Sequence, residues 1–189
     1  VTSAGKLIFV PTIMFRSGSG DTSFNPLILA TIQDLSLAAG FSGSTSHGWD
    51  WDLSNTIGRN NFHYFGDGTF NASNIGNVTQ THFDDGGYNF LQNTLNLDFS
   101  KSYQSVAAGL NLALGAEYRF EKYSIYQGEN ASFSSYHPTD LYYPNVDEQR
   151  APASGAQGFP GFSPADKVNA SRTVGGAYVD IEYTPTDLL

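Results

Sequence analysis

IQDLSLAAGFSGSTSHGWDWDLSNTIGR, residues Ile32 to Arg59, contains two runs, Ile32 to Gly43 and Gly48 to Arg59, joined across Ser44, Thr45, Ser46 and His47. In the second run Trp49, Trp51, Leu53 and Ile57 fall on one face, and Asp50, Asp52, Ser54, Thr56 and Gly58 on the other, because strand side chains alternate with period two. In the first run Leu35, Leu37, Ala39 and Phe41 alternate with Asp34, Ser36, Ala38 and Gly40. The two runs read as an amphipathic hairpin, hairpin 32–59. A soluble sheet turns its apolar face to a core, whereas an outer-membrane barrel turns it to lipid and lines a wet lumen with the polar face.

The same pattern recurs outward from the hairpin. Gln92 to Lys101 sets Leu95, Leu97 and Phe99 against Thr94, Asn96, Asp98 and Ser100. Strand 109–128 begins with the cleanest alternation in the chain, Leu110, Leu112, Leu114, Ala116, Tyr118 and Phe120 opposite Gly109, Asn111, Ala113, Gly115, Glu117 and Arg119. Strand 171–184 alternates Ala177, Val179, Ile181 and Tyr183 with Tyr178, Asp180 and Glu182, and Pro185 ends it. An earlier strand, Lys6 to Phe15, contains Pro11, which suits an edge or a bulge. Between these runs lie short turns at 44–47 and 102–107, a loop at 16–31, and long loops at 60–91 and 129–170. In an up-and-down sheet alternate connections emerge on the same edge, and short turns opposite long loops are the arrangement of outer-membrane barrels. The fold expected is all-β: an antiparallel transmembrane β-barrel segment of about six strands. The alternative is a soluble secreted β-sandwich, such as a carbohydrate-binding module.

Composition agrees with an all-β chain. Charged residues make up 14% of the 189, with Gly (20), Tyr (11) and Phe (14) abundant, against about 25% charged in average proteins. A net charge of −9 with nine scattered Lys and Arg leaves no basic surface for nucleic acid. The absence of cysteine excludes a disulfide scaffold and thiolate metal sites. No apolar run approaches the length of a transmembrane helix, and Val1 opens no signal peptide.

Five blocks, GWDWDLSNTIGRNNF (Gly48 to Phe62), QNTLNLDFSKSY (Gln92 to Tyr103), LNLALGAEYRFEKYSIYQGE (Leu110 to Glu129), GAQGFPGFSP (Gly155 to Pro164) and ASRTVGGAYVDIEY (Ala170 to Tyr183), resemble, in order, the middle of the barrel of TonB-dependent outer-membrane receptors. The resemblance implies a 22-stranded barrel with an N-terminal plug, in the outer membrane of a diderm bacterium. It also implies import of a scarce nutrient (ferric siderophore, vitamin or glycan), energised through TonB and the inner-membrane complex. The sequence shows no plug, no TonB-contacting segment and no terminal aromatic. Six strands would leave two unpaired edges that hydrocarbon does not tolerate. The expectation is therefore a fragment, or one piece of a larger assembly completed by remaining barrel strands or other chains; the alternative is a small closed barrel with further strands.

Asp50, Asp52, Asp98, Glu117, Arg119, Asp180 and Glu182 are the expected lumen-facing residues along a ligand path; a wet lumen alone also explains their polarity. Tyr136, Tyr142, Tyr143, Phe159 and Phe162, on a long loop, are the expected contacts to a small nutrient ligand. Trp49, beside a short turn, suits the belt where lipid meets water. Asp84-Asp85-Gly86 and Gly66-Asp67-Gly68 have calcium-loop character, but turn chemistry explains both. His47, His63, His82 and His137 show no metal spacing, and the sequons at Asn71, Asn77, Asn130 and Asn169 match a short pattern common in Asn-rich chains. No cofactor is expected, and no nucleophile elbow or metal triad points to an enzyme.

Overall fold

The computed structural model describes residues 25–74, 80–136 and 153–186. Five strands form one antiparallel sheet in the order β1-β2-β3-β4-β5: β1 Leu27–Ser44, β2 Asp50–Asp67, β3 Phe83–Tyr103, β4 Gly109–Tyr126 and β5 Val168–Thr184. Each strand pairs with its neighbour in sequence, so β1 and β5 are the edges. The only helical pieces among the described residues are a single turn, α1 Asn130–Phe133, and a 3₁₀ turn at Pro164–Asp166. No described helix is long and apolar enough to cross a membrane. The strand expected at Lys6 to Phe15 lies outside the described residues.

The strands reach further than the alternation indicates. β1 starts five residues early, directly after Pro26, on the unbroken apolar run Leu27-Ile28-Leu29. The stretch read as a loop at 60–91 is strand at both ends: Asn60 to Asp67 continues β2 and Phe83 to Leu91 belongs to β3, leaving 68–82 as the connection. The stretch read as a loop at 129–170 likewise loses its last residues to β5.

The reason sequence reading stopped short in β3 is a change of phase at Gly86. Asp84 meets His63 on β2, whereas its chain neighbour Asp85 lies beside Gly66 and Tyr88 stacks on Phe62. Simple alternation would not produce that sequence of facings. Gly86 sits at φ 77°, the left-handed backbone that a bulge uses to insert a residue into one strand. A Cβ there would stand 2.5 Å from the backbone of Tyr126, Gln127 and Gly128, so the position is reserved by space as well as by dihedral.

The short connections are turns. Between β1 and β2, Thr45 N–H donates to the Trp49 carbonyl (2.7 Å), Gly48 N–H to the Thr45 carbonyl (3.0 Å), and Trp49 N–H to Thr45 Oγ1 (3.1 Å), with Gly48 at φ 75°. Between β3 and β4, Gly109 N–H donates to the Val106 carbonyl at 3.0 Å.

The chain divides into two compact units: one of Val1–Ile32, Asn61–Tyr88 and Ser124–Val168, the other of Gln33–Asn60, Asn89–Tyr123 and Asn169–Leu189. In the first, Phe70, Ala72, Phe83 and Ala156 are buried, as is Asn71. Its amide donates to the carbonyls of Ala131 (2.8 Å) and Ser134 (2.9 Å), and its Oδ1 accepts from Ser73 N–H and Oγ. With both donors engaged and 6% exposure, Asn71 is not an available sequon. In the second unit no large apolar side chain is buried among the described residues. Gly86→Ala is expected to cost about 1–3 kcal/mol, read as a lower melting temperature. An unchanged value would show that the bulge does not need its glycine.

Candidate functional site

In the second unit the two faces of the sheet carry different chemistry. On one, Ser42, Asp50, Asp52, Asp98, Ser100 and Tyr178, together with Trp51, Phe99 and Ala113, line a cleft of about 350 Å³. Three of the expected lumen residues, Asp50, Asp52 and Asp98, are thus brought together from β2 and β3. Tyr178 arrives from β5 by crossing β4 over Gly115, where a Cβ would overlap both the Tyr178 ring and Asp98 Oδ1. Its hydroxyl donates to Asp98 Oδ1 at 2.9 Å.

The other expected charges on this face form a ladder. Arg119 donates to Glu117 at 2.5 Å and lies 3.8 Å from Glu121, which also pairs with Arg172 on β5. Glu121 is buried, and its two guanidinium partners satisfy it as a buried carboxylate requires. Glu182 accepts from Asn111 at 3.2 Å. Asp180 stands between Tyr178 and Glu182 in register and is exposed. Tyr178, Glu121 and Arg172 were not singled out from sequence. Arg172 and Glu121 are a charge pair of opposite sign at the matching ends of two alternating runs, a signal that pairing those strands would have exposed.

The opposite face is apolar and open. Leu35 and Phe41 on β1 are 76% and 74% exposed and Val179 on β5 69%, with Ile57, Leu95, Leu97, Tyr118 and Ile181 also exposed. The Trp51 indole lies against Gly43. One polar pair on this face, Asn55 with Asn93, is closed on itself: each amide donates to the other's oxygen (3.2 and 3.1 Å), and Asn55 also donates to the Thr94 carbonyl.

In the first unit, Phe159 and Phe162 are half-buried and pack on Tyr64 at 5.7 and 6.5 Å, while Phe62 stacks on Tyr88 and Tyr64 meets Tyr88 at a tilt. These two expected ligand contacts therefore form part of an aromatic cluster. Tyr136 is exposed, its N–H held by Ser73 Oγ; Tyr142 and Tyr143 lie outside the described residues. A second series runs Tyr126, His63, Phe65, His82. Tyr126 Oη is 3.2 Å from His63 Nδ1, and His63 Nε2 is 2.8 Å from Asp84 Oδ1. Phe65 stacks on both imidazoles, and His82 lies 3.6 Å from Asp67. Asp84 Oδ1 also accepts from Gly86 N–H. Asp67 and Asp84 thus serve imidazoles and a turn, and no group of three or more His, Asp or Glu that could hold a metal ion occurs among the described residues.

Asp85 is the outlier. It is fully buried, and neither carboxylate oxygen has a hydrogen-bond partner among the described residues. Gly66, Gly128 and Gly161 pack around it, where side chains would collide with Asp85 or its neighbours. Burial, with the Asp84 and Glu129 carboxylates adding, pushes its pKa from 3.8 up to about 7, because low dielectric disfavours the charged form.

No protein-family model, curated protein or solved structure matches the chain.

The Asp85 shift has a definite pH consequence. The folded state keeps a proton that the unfolded chain has released, so the stability linked to this group is full below about pH 4 and declines as pH rises to about 7. Asp85→Asn is expected to stabilise the protein by about 2–4 kcal/mol at pH 8 and to change little at pH 4. Thermal melts of both proteins at the two pH values test this, and a variant less stable than its parent at pH 8 would sink it.

Proposed function

We propose that the chain is part of the barrel of a TonB-dependent outer-membrane receptor, which captures a scarce nutrient such as a ferric siderophore, a vitamin or a glycan and passes it inward. The observation that carries the proposal is the second unit's sheet: large apolar side chains exposed on one face, carboxylates on the other, and no large apolar side chain buried in it among the described residues. In water such a face would be a standing aggregation surface; in a bilayer it is a lipid contact.

Several features support this reading. Strands of 17 to 21 residues exceed the roughly 9–11 that a tilted strand needs to cross the hydrocarbon, so alternating stretches such as Gln92 to Lys101 are long enough to form the span. The Asn55–Asn93 pair satisfies its own amides, the condition for polar groups facing lipid. The connections fall into two short turns, at 45–49 and 104–108, and two longer segments, at 68–82 and 127–167. A soluble β-sandwich needs a second sheet against the apolar face, and the described residues form one sheet.

In this reading the edges of β1 and β5 pair with further strands, since an unpaired edge leaves backbone groups unsatisfied in hydrocarbon. The Asp50–Asp52–Asp98 cleft and the Glu117–Arg119–Glu121–Arg172 ladder face the lumen. The Tyr64–Tyr88–Phe159–Phe162 cluster belongs to the ligand-capturing end, and TonB acts from the inner membrane through a plug.

The chain is expected in detergent-solubilised outer membranes, in a native particle far heavier than 20.5 kDa. A monodisperse, detergent-free monomer would overturn the membrane reading. Nutrient uptake that survives dissipation of the inner-membrane proton gradient would remove TonB from it.

A further inference from the structure

At the short-turn end of the apolar face, Thr45, His47, Trp49, Phe99, Lys101 and Leu114 line an open groove of about 610 Å³. Lys101 is the charged group in it. Its ammonium donates to the His47 carbonyl at 2.6 Å and stands 4.8 Å from the Tyr103 ring centroid and 6.0 Å from that of Trp49. The carboxylates that could neutralise it are spent elsewhere: Asp50 turns to the other face and accepts from Ser44 at 2.5 Å, while the ladder acids serve Arg119 and Arg172. In a chain of net charge −9, this lysine sits beside an apolar trough with no carboxylate among the described residues.

We propose that this groove binds an anionic glycerophospholipid, with the lipid phosphate on Lys101 and an acyl chain along Phe99 and Leu114. The inference rests on the membrane reading, because only that reading brings the groove to a lipid surface. Among the described residues the ammonium has one hydrogen-bond acceptor, the His47 carbonyl, and an ammonium held between aromatic rings at a polar–apolar boundary has the disposition of interfacial lysines. Phosphate supplies the missing negative charge, and the apolar wall supplies the reason for a lipid over a soluble ion. Trp49 and Tyr103 flank the ammonium and would frame the headgroup.

Trp49 and Trp51 are the only tryptophans, so they report on this end of the sheet. In vesicles with acyl-brominated lipids, the native protein is expected to be quenched more by phosphatidylglycerol than by phosphatidylcholine. Lys101→Gln should weaken the apparent preference about fivefold, the scale of one basic residue at an anionic surface, and Lys101→Arg should retain it. Soluble glycerol phosphate should not compete. Equal quenching by both lipids, or a preference that Lys101→Gln leaves intact, overturns the lipid site while the membrane reading stands. Competition by millimolar glycerol phosphate overturns it in favour of a free phosphate site. Absence of quenching by either lipid removes the membrane reading and this site with it.

Discussion

Each side chain of a paired strand has two directions open to it, and in the second unit neither direction leads to a core among the described residues. Period-two alternation sends Leu35, Leu37 and Phe41 to one face and Asp34, Ser36 and Ser42 to the other, and β2 to β5 repeat the division. Full burial of one large apolar side chain is worth about 1.5–3 kcal/mol, so those three residues of β1 alone forgo an amount comparable to the whole net stability of a small domain, about 5–15 kcal/mol. Within the sheet the Glu121 carboxylate has two guanidiniums, and the Asn55 and Asn93 amides have each other.

The first unit works on different terms. Its buried apolar residues are few, and hydrogen bonding through Asn71 ties the 69–74, 130–134 and 155–157 segments together. Close glycine packing lets chain segments approach around Asp85, whose carboxylate has no hydrogen-bond partner among the described residues and whose pKa burial raises. A cluster of rings at Phe62, Tyr64, Tyr88, Phe159 and Phe162 supplies the remaining apolar contact.

Much of the sheet was legible because alternation is a local property. Asp50 to Arg59, Gln92 to Lys101, Gly109 to Glu121 and Arg172 to Tyr183 all fall inside observed strands, while Gly48 and Trp49, the first two residues of the second run, belong to the turn, and the convergence of Asp50, Asp52 and Asp98 follows from placing β2 beside β3. What stayed hidden was non-local or out of phase. Gly86 resets the alternation of β3, so Phe83 to Leu91 does not look like a strand to a period-two reading. Aromatic residues on a presumed loop suggested exposure, whereas Phe159 and Phe162 have Tyr64 to lie against. The isolation of Asp85 cannot be read from Asp-Asp-Gly, which is an ordinary turn sequence; it depends on glycines some 20 to 75 positions away that fold against it.

Tyr178 bears on how β5 finds its place. Sliding an edge strand by two residues keeps every side chain on its proper face, so alternation is blind to that error. The Tyr178 ring is not: it fits over Gly115 and reaches Asp98 only in one alignment, and a slip would set it against Ala113 or Glu117 instead. One tyrosine spanning three strands thus acts as a proofreading key for assembly, selecting among registers that hydrophobicity alone leaves degenerate.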